Sequence, residues 1–184
     1  MLRDLMPTVL TILAEGFEEV EAVTPIDLLR RAGAEVTLAN VGVGIHVTGR
    51  NGMTMHADTM LSNIEANDFD CIFLPGGPGV KLLRDDPRVR AIAIRHANAG
   101  KWIAAICAAP TVLQDAGLLN GRRYTAHFSV ANELPDIQAD HRVVADGNIL
   151  TSRGAGTALD FGLLMVEKLF SSEKSAEVAR SISA

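Results

Sequence analysis

The sequence has few cysteines, few aromatic residues and no long hydrophobic run. Its two cysteines, Cys71 and Cys107, are too few for a disulfide scaffold, and they form no C-x-x-C pair of the zinc-knuckle or thioredoxin type. Aromatic residues make up only 4% of the chain, so Val, Leu, Ile and Ala must build the core. The apolar run at residues 8–14 is too short to cross a membrane, and several glutamates follow it at once. We therefore expect a cytoplasmic protein without a membrane segment.

The overall charge and composition exclude further classes of protein. The formal net charge is −5, which argues against a basic nucleic-acid surface, so we expect no sequence-specific nucleic-acid binding. Hydrophobic residues make up 48% of the chain, which excludes a disordered or fibrous protein. A length of 184 residues suits one domain with a full core, and we predict a single domain over residues 1–184.

Short apolar runs alternate with amphipathic stretches along the chain. The predicted strands are residues 8–14, 35–41, 70–74 and 102–106, and the predicted helices are 19–32, 87–99, 108–116, 156–170 and a polar tail from 171. Asp146-Gly147 predicts a hairpin between residues 142–145 and 148–152, and the glycines at 49–52 suggest another. This alternation predicts an α/β fold, a doubly wound and mainly parallel sheet with helices on both faces.

Hydrophobic spacing also predicts the buried faces of two helices. The apolar positions of the first are Val20, Val23, Ile26 and Leu28, and those of the last long helix are Leu159, Leu163, Val166 and Leu169. Pro25 lies inside the first helix and predicts a kink there.

Cys107 lies at the junction between a predicted strand ending at Ile106 and a predicted helix beginning at Ala108. Small residues flank it, as a tight and strained nucleophile elbow requires, and Pro110 suits the first helical turn. A thiol at a helix N-terminus is expected to have a lowered pKa, and the backbone N–H groups there can hold an oxyanion. The same spacing fits an ordinary core cysteine, so both interpretations stay open on the residues alone.

Two glycine-rich turns follow predicted strands. Pro75-Gly-Gly-Pro-Gly79 lets backbone N–H groups approach a ligand, but it lacks the ending of a Walker loop. Arg153-Gly-Ala-Gly156 fails the dinucleotide fingerprint because Leu159 stands where Gly or Ala is required. Each could be a plain strand-to-helix turn. Since the carboxyl ends of parallel strands meet at one edge, any site is expected there.

Four sequence strings, spread over nearly the whole chain, together resemble one known family. They are Gly16-Phe-Glu-Glu-Val-Glu21, Leu74-Pro-Gly-Gly77, Ala105-Ile-Cys-Ala-Ala-Pro110 and Leu150-Thr-Ser-Arg-Gly-Ala-Gly-Thr157. The chain resembles the ThiJ/PfpI superfamily, most closely its DJ-one/YajL branch. The resemblance implies a flavodoxin-like fold and a homodimer. Many branch members carry an extra C-terminal segment near the active site, which we expect to be shortened here.

The resemblance also implies roles for particular residues. Cys107 would be the reactive thiol, Glu21 a protonated carboxyl that hydrogen-bonds the sulfur, and His127 the active-site histidine. Gly77 and Ala108 would supply the backbone donors of an oxyanion site.

Weaker correspondences concern residues around the pocket. Arg31 matches an arginine that approaches the partner's active site across the dimer, although a solvated helix end is the simpler interpretation. Glu18, Asp27 and Arg50 match polar residues near the pocket. We find no acidic residue clearly placed to orient the histidine as a catalytic triad requires. The residues alone do not choose among the histidines, which are His46, His56, His96, His127 and His141.

The resemblance implies a cysteine-dependent enzyme that needs no cofactor or metal. Its expected activity is that of a glyoxalase or deglycase acting on methylglyoxal or on early glycation adducts of proteins and nucleotides. The alternative is an oxidative-stress sensor or chaperone that works through oxidation of Cys107 to sulfinic acid. A noncatalytic scaffold is the third hypothesis, and it requires Cys107 to titrate like an ordinary thiol.

Overall fold

The computed structural model describes residues 6–184, so the first five residues of the predicted 1–184 domain lie outside the described part. The strands are β1 (Thr8–Leu13), β2 (Glu35–Asn40), β3 (His46–Thr48), β4 (Thr54–His56), β5 (Thr59–Met60), β6 (Cys71–Leu74), β7 (Trp102–Ile106), β8 (Val143–Asp146) and β9 (Ile149–Ser152). The helices are α1 (Glu19–Ala32), α2 (Val80–Asp85), α3 (Pro87–Asn98), α4 (Pro110–Asp115), α5 (Ala158–Leu169) and α6 (Ser172–Ser181).

The main sheet has seven strands in the order β5-β2-β1-β6-β7-β9-β8. Every described pairing in it is parallel except that of β8 with β9, which forms the hairpin expected around Asp146-Gly147. The strand β6 is buried at all four positions, which suits a parallel sheet covered on both faces. The predicted α/β fold is therefore confirmed. The hairpin suggested near residues 49–52 is present as well, because β3 pairs with β4 in a separate two-stranded sheet.

Helices cover both faces of the sheet because side chains alternate along each strand. On β1, Val9 and Leu13 join the apolar layer that contains Phe161 of α5, whereas Leu10 and Ile12 join the layer on the opposite face. Helices α1, α5 and α6 contribute to the first layer, and α2, α3 and α4 to the second.

The predicted apolar face of α1 is partly wrong. Val20 and Val23 are 48% and 45% exposed, whereas Ile26 and Leu28 are buried as expected. The helix buries Glu19 and Glu21 on its inner side instead. A prediction from hydrophobicity misses this, because it assigns carboxyl groups to the exposed side of a helix. Helix α1 continues without a break through Pro25.

The predicted face of α5 is also partly wrong, because Val166 is buried and Leu163 and Leu169 pack against the core as expected, whereas Leu159 does not. Leu159 is 39% exposed, and the residues buried against the rest of the protein are Ala158, Phe161, Gly162, Met165 and Val166. The reason is that α5 packs closely on α1, so a small residue rather than a large one occupies the contact. The predicted helix 108–116 is shorter in the structure, and the short elements α2 and β5 were not predicted.

The contact between α5 and α1 gives a test of this packing. A methyl group at Gly162 would stand 2.5 Å from Leu28 Cδ1 and 3.0 Å from Pro25 Cα, so the two helices would have to separate. We expect Gly162→Ala to lower the free energy of unfolding by about 1–3 kcal/mol in urea denaturation. Gly156→Ala is the matched control, because nothing lies within 4 Å of its added methyl group. Equal stability of the two variants would contradict the close packing.

Candidate active site

The candidate site lies where the carboxyl ends of β1, β6 and β7 meet. The chain leaves β1 toward one side of the sheet and later returns to β6 on the other, so this edge is the switch point at which open α/β sheets bind ligands. The turns after β1 and β6 are joined directly. The Glu18 N–H donates to the Gly76 carbonyl at 3.0 Å, and the Gly79 N–H donates to the Gly16 carbonyl at 3.0 Å.

Cys107 follows β7 in a strained backbone conformation. Its φ is +65°, a value that residues other than glycine rarely adopt. The Cys107 N–H donates to the Ser152 carbonyl at 2.9 Å, and the Cys107 carbonyl accepts from the His127 N–H at 2.9 Å. These bonds hold the residue in place, because strain of this kind persists only where the surroundings determine it. The predicted elbow is therefore present.

Glu21 approaches the sulfur from the first turn of α1. Glu18 caps this helix, since its carboxylate accepts from the Glu21 N–H at 2.8 Å. The Glu21 side chain is 2% exposed and lies beside Cys107, while its Oε2 is buried without a hydrogen-bond partner among the described residues. Gly76 makes this approach possible, because a methyl group there would collide with Glu21 Oε2 and stand 2.5 Å from Cys107 Cβ.

Burial governs the protonation of this pair. It raises the pKa of Glu21 to about 7, helped by the negative charge of Glu18 and opposed by hydrogen bonding to Cys107 and to the Gly76 and Ala155 N–H groups. Burial also raises the pKa of Cys107 to about 12, together with the charge of Glu21, although the Gly77 and Ala108 N–H groups act in the opposite direction.

The expectation of a low pKa for Cys107 is therefore wrong for the resting pair. The helix that follows Cys107, α4, has only six residues and begins three positions later. Its dipole is therefore weak and does little to stabilise a negative charge on the sulfur. Above a pH of about 7 the pair keeps one proton, which is on the sulfur. The thiolate is reached when that proton moves to Glu21.

His127 completes the cluster around Cys107. A methyl group placed on Gly154 would stand 3.3 Å from His127 Cδ2, 3.5 Å from Glu21 Oε1 and 4.0 Å from Cys107 Sγ, so the three side chains converge there. The Ser129 hydroxyl lies 2.9 Å from His127 Nδ1, and the Ser129 N–H donates to the same atom at 3.3 Å. In the neutral ring the proton is then on Nε2. Ser129 orients the ring, and no carboxylate among residues 6–184 bonds it.

A cavity of about 850 Å³ opens above the sulfur. Seven of the predicted residues line it, namely Glu18, Glu21, Arg50, Gly77, Cys107, Ala108 and His127. Sequence reasoning missed four charged residues at its walls, which are Lys81, Arg84, Asp85 and Asp115. Arg84 stays charged, and its positive charge is balanced by ion pairs of 2.7 Å to Asp115 and to Glu133.

Glu19 is a further residue that the sequence analysis missed. It is buried, and its carboxylate accepts from the Asn51 N–H at 2.7 Å, from Asn51 Nδ2 at 2.9 Å and from the Met53 N–H at 3.4 Å. Burial opposes its ionisation, but these hydrogen bonds prevail and lower the pKa of Glu19. Because Asn51 and Met53 follow Arg50 in the β3–β4 turn, Glu19 contributes to the position of Arg50, whose own N–H donates to the Phe17 carbonyl at 2.8 Å. No local pattern reveals a bond between residues so far apart in sequence.

Two predicted residues do not line this cavity. Asp27 and Arg31 pair with each other at 2.7 Å on the outer side of α1, and both side chains are about half exposed. They lie on the same helix as the exposed Val20 and Val23, a combination that a second copy of the chain would cover. The homodimer, and the approach of Arg31 to a partner's site, stay predictions.

Within residues 6–184, no group of three or more His, Cys, Asp or Glu side chains is placed to hold a metal ion. No helix in that range is long and apolar enough to cross a bilayer.

The chain belongs to the DJ-1/PfpI family, which it matches over residues 7–168. This confirms the resemblance drawn from the four sequence strings.

Three relatives show how far the similarity extends. The chain is 38% identical over 178 residues to protein DJ-1 homolog B of Arabidopsis thaliana, which is 95% of this chain but 41% of that protein, so it spans less than half of that relative. A protein named deglycase from Thermococcus kodakarensis is 33% identical over 151 residues, or 80% of this chain and 90% of that one. The solved structure of oxidized Toxoplasma gondii DJ-1 has a TM-score of 0.92 and 38% identity, covering 96% of this chain and 97% of that one.

The raised pKa of Glu21 has a consequence for stability. Its pKa rises from a usual value of 4.5 to about 7, so the folded state holds this proton more tightly than the unfolded state. Stability should therefore fall as the pH rises between these values, by about 3 kcal/mol in all. We expect Glu21→Gln, which cannot ionise, to be more stable than the parent near pH 8 in guanidinium denaturation, and to lose that advantage near pH 4.5.

The exposed Glu35 provides the matched control for this measurement. Glu35→Gln should leave the pH dependence of stability as it is in the parent. The interpretation fails if Glu21→Gln is no more stable than the parent at the higher pH.

Proposed function

We propose that this chain is a cofactor-free enzyme that uses Cys107 to convert methylglyoxal, or early glycation adducts of proteins and nucleotides, into a hydroxy acid. The observation that carries the proposal is the Cys107–Glu21 pair, a half-buried thiol on a strained backbone beside a carboxyl whose pKa is about 7. A carboxyl of that pKa is suited to act as a general base near neutral pH. A relative in the family is named a deglycase, which supports the same chemistry.

The first step is addition of the thiol to the aldehyde. Cys107 Sγ attacks the aldehyde carbon while its proton passes to the Glu21 carboxylate, which produces a thiolate only as the bond forms. The Gly77 and Ala108 N–H groups, which act to lower the pKa of the thiol, would stabilise the developing oxyanion. Protonation of that oxygen gives a hemithioacetal. With a glycation adduct, the amine leaves from the same carbon and takes up a proton.

The second step moves hydrogen between the two carbons of the substrate. A base removes the proton from the carbon that carries sulfur, and a proton returns to the neighbouring carbon, so an enediol becomes a hydroxy thioester. Glu21 and His127 are the two groups of the cluster that can carry these protons. Water then cleaves the thioester, which releases lactate and restores the thiol, and no electrons leave or enter the system.

The cavity also bears on the size of the substrate. Its volume of about 850 Å³ is far larger than methylglyoxal needs, and it is open to solvent on one side. The reacting carbon of a glycation adduct on an amino acid side chain or on a nucleotide base can therefore reach the sulfur.

Turnover of methylglyoxal tests the proposal. We expect the chain to form lactate from methylglyoxal, with a rate that rises as the pH increases through about 7, because Glu21 must be ionised to accept the thiol proton. Cys107→Ala should abolish lactate formation. Cys71→Ala should retain it, because Cys71 is fully buried within β6 and away from the cavity. Lactate formation that survives in Cys107→Ala would refute the nucleophile.

A second candidate function is the sensing of oxidative stress, with or without chaperone activity, through oxidation of Cys107 to sulfinic acid. The observation that favours it is again Glu21, which in its protonated form lies beside the sulfur and can donate to a sulfinate oxygen. A solved structure of a relative, Toxoplasma gondii DJ-1, is of an oxidized form.

Intact mass after mild peroxide treatment tests this second candidate. We expect a gain of two oxygen atoms that maps to Cys107 and not to Cys71, since burial strongly raises the pKa of Cys71 and keeps it from the solvent. Glu21→Leu should slow the reaction or stop it at another oxidation state. A gain of oxygen only at methionine, for which Met53 is an accessible reference at 63% exposure, would speak against a sensing role.

A further inference from the structure

The two edges of the His127 ring face different groups. The edge that carries Cδ2 and Nε2 lies on the side of the reactive pair, because a methyl group on Gly154 would stand 3.3 Å from His127 Cδ2 and 4.0 Å from Cys107 Sγ. The opposite edge carries Nδ1 and is turned toward Ser129, whose hydroxyl lies 2.9 Å away. Within residues 6–184, Nδ1 is hydrogen-bonded and Nε2 is left for a substrate.

The hydrogen bonds at Nδ1 decide which nitrogen carries the proton. The Ser129 N–H donates to Nδ1 at 3.3 Å, and because an N–H has no acceptor capacity, Nδ1 is the unprotonated nitrogen of the neutral ring. The Ser129 hydroxyl then donates to the same atom. The proton of the neutral ring is thereby kept on Nε2, at the edge nearer to the sulfur.

The backbone around Ser129 is folded to make these contacts. His127 is the N-cap of a single 3-10 turn at Phe128–Val130, and its ring accepts the N–H that a serine or aspartate oxygen accepts at an ordinary N-cap. The His127 N–H donates to the Cys107 carbonyl at 2.9 Å, which fixes the backbone of the residue. The Phe128 ring lies against the imidazole with 4.1 Å between the ring centroids. These contacts restrict rotation of the imidazole.

The segment that carries Ser129 is anchored beyond the turn as well. Leu134 is completely buried, and Glu133 forms an ion pair of 2.7 Å with Arg84. Arg84 also binds Asp115 at 2.7 Å, so this segment is joined to α2 and α4 at the wall of the cavity. Ser129 is therefore held in place before a substrate arrives, as a group that positions a catalytic side chain must be.

This arrangement is the reverse of a catalytic triad, in which a carboxylate accepts from Nδ1–H and leaves Nε2 free to act as a base. We propose that Ser129 is a positioning residue that keeps the proton of His127 on Nε2, so that His127 donates a hydrogen bond to a substrate oxygen and Glu21 alone is the base. The assignment of these roles rests on the proposed function.

The second step of the reaction then has a defined division of roles. Glu21 is a carboxylate again once the oxyanion of the first step has taken up its proton, and it removes the proton from the carbon that carries sulfur. The His127 Nε2–H stabilises the negative charge that develops on the oxygen of the neighbouring carbon. The hydroxyl proton of the first carbon passes to this oxygen, and Glu21 returns its own proton to the neighbouring carbon. The product is the hydroxy thioester, and no electrons are gained or lost.

Nitrogen NMR of the full chain tests the position of the proton. Protein labelled with nitrogen-15 histidine is measured at about pH 8.5, where free imidazole is neutral, and the His127 signals are identified by their loss in His127→Gln. We expect a protonated Nε2 and an unprotonated Nδ1 in the parent and in Ser129→Thr, which keeps the hydroxyl. Ser129→Ala should show a larger share of the other tautomer, since only the longer backbone bond remains. A parent protonated on Nδ1 would overturn the proposal.

Lactate formation from methylglyoxal is the second readout. We expect Ser129→Ala to lower kcat about three- to tenfold, the loss expected for one hydrogen bond, with KM little changed and with recovery in Ser129→Thr. Ser129→Asp should move the proton to Nδ1, as in a triad, and should be slower than the parent because the Nε2 donor is lost. A base at Nε2 would instead make Ser129→Asp faster, and that result contradicts the proposal.

Ser62→Ala is the matched control, an exposed serine outside the cavity whose loss should change neither kcat nor the tautomer of His127. An unchanged kcat in Ser129→Ala would also count against the role of Ser129. Absence of lactate in the parent would refute the proposed reaction instead, and the NMR measurement decides the position of the proton independently of it.

Discussion

The carboxyl group of Glu21 and the sulfur of Cys107 are held against each other, largely out of water, and the neighbouring structure is built to keep them so. Each group alone would lose its charge on burial, and together they retain a single proton above a pH of about 7. That arrangement replaces the lowered thiol pKa expected of a cysteine at a helix N-terminus. It gives a nucleophile that is released only when the carboxyl accepts its proton, which limits reaction with the solvent while the site is empty of substrate.

This contact requires a strained backbone at Cys107 and glycine at nearby positions. Cys107 adopts a left-handed conformation, and Gly76 must be a glycine because any side chain there would occupy the space of the pair. Gly154 likewise leaves the space in which the side chains of His127 and Glu21 come close to each other. Such features lower the stability of the fold, and they are common at sites where strain and burial serve reactivity. The close packing of α5 on α1 and the fully buried strands of the sheet supply the rigidity that holds them.

The β3–β4 hairpin links the site to the surface. Glu19 holds the turn of the hairpin from beneath, which helps to place Arg50 at the wall of the cavity, and the outer face of the same hairpin carries His46 and His56. The separation between the two faces follows from the two-residue alternation of a strand, which directs Val47 inward and the histidines outward.

Much of the fold and part of the site could be predicted from the sequence by itself, because they depend on local patterns. Unbroken apolar runs predicted the parallel strands, and the alternation of strands and helices predicted the α/β class. The small residues around Cys107 predicted its place in a tight turn, and four strings predicted the family. These features need no knowledge of what lies opposite in space.

Only the tertiary structure decided the protonation, the orientation and the surroundings of those residues. The direction of the Cys107 pKa depends on burial and on Glu21, a residue far away in sequence. The orienting contact of His127 comes from Ser129, the position of Arg50 partly from Glu19, and the exposure of Val20 and Val23 from the side of α1 that faces α5 and the sheet. Each of these depends on which distant segments meet, and a hydrophobicity pattern reports only how much of a helix is apolar, not which polar groups the fold can satisfy inside.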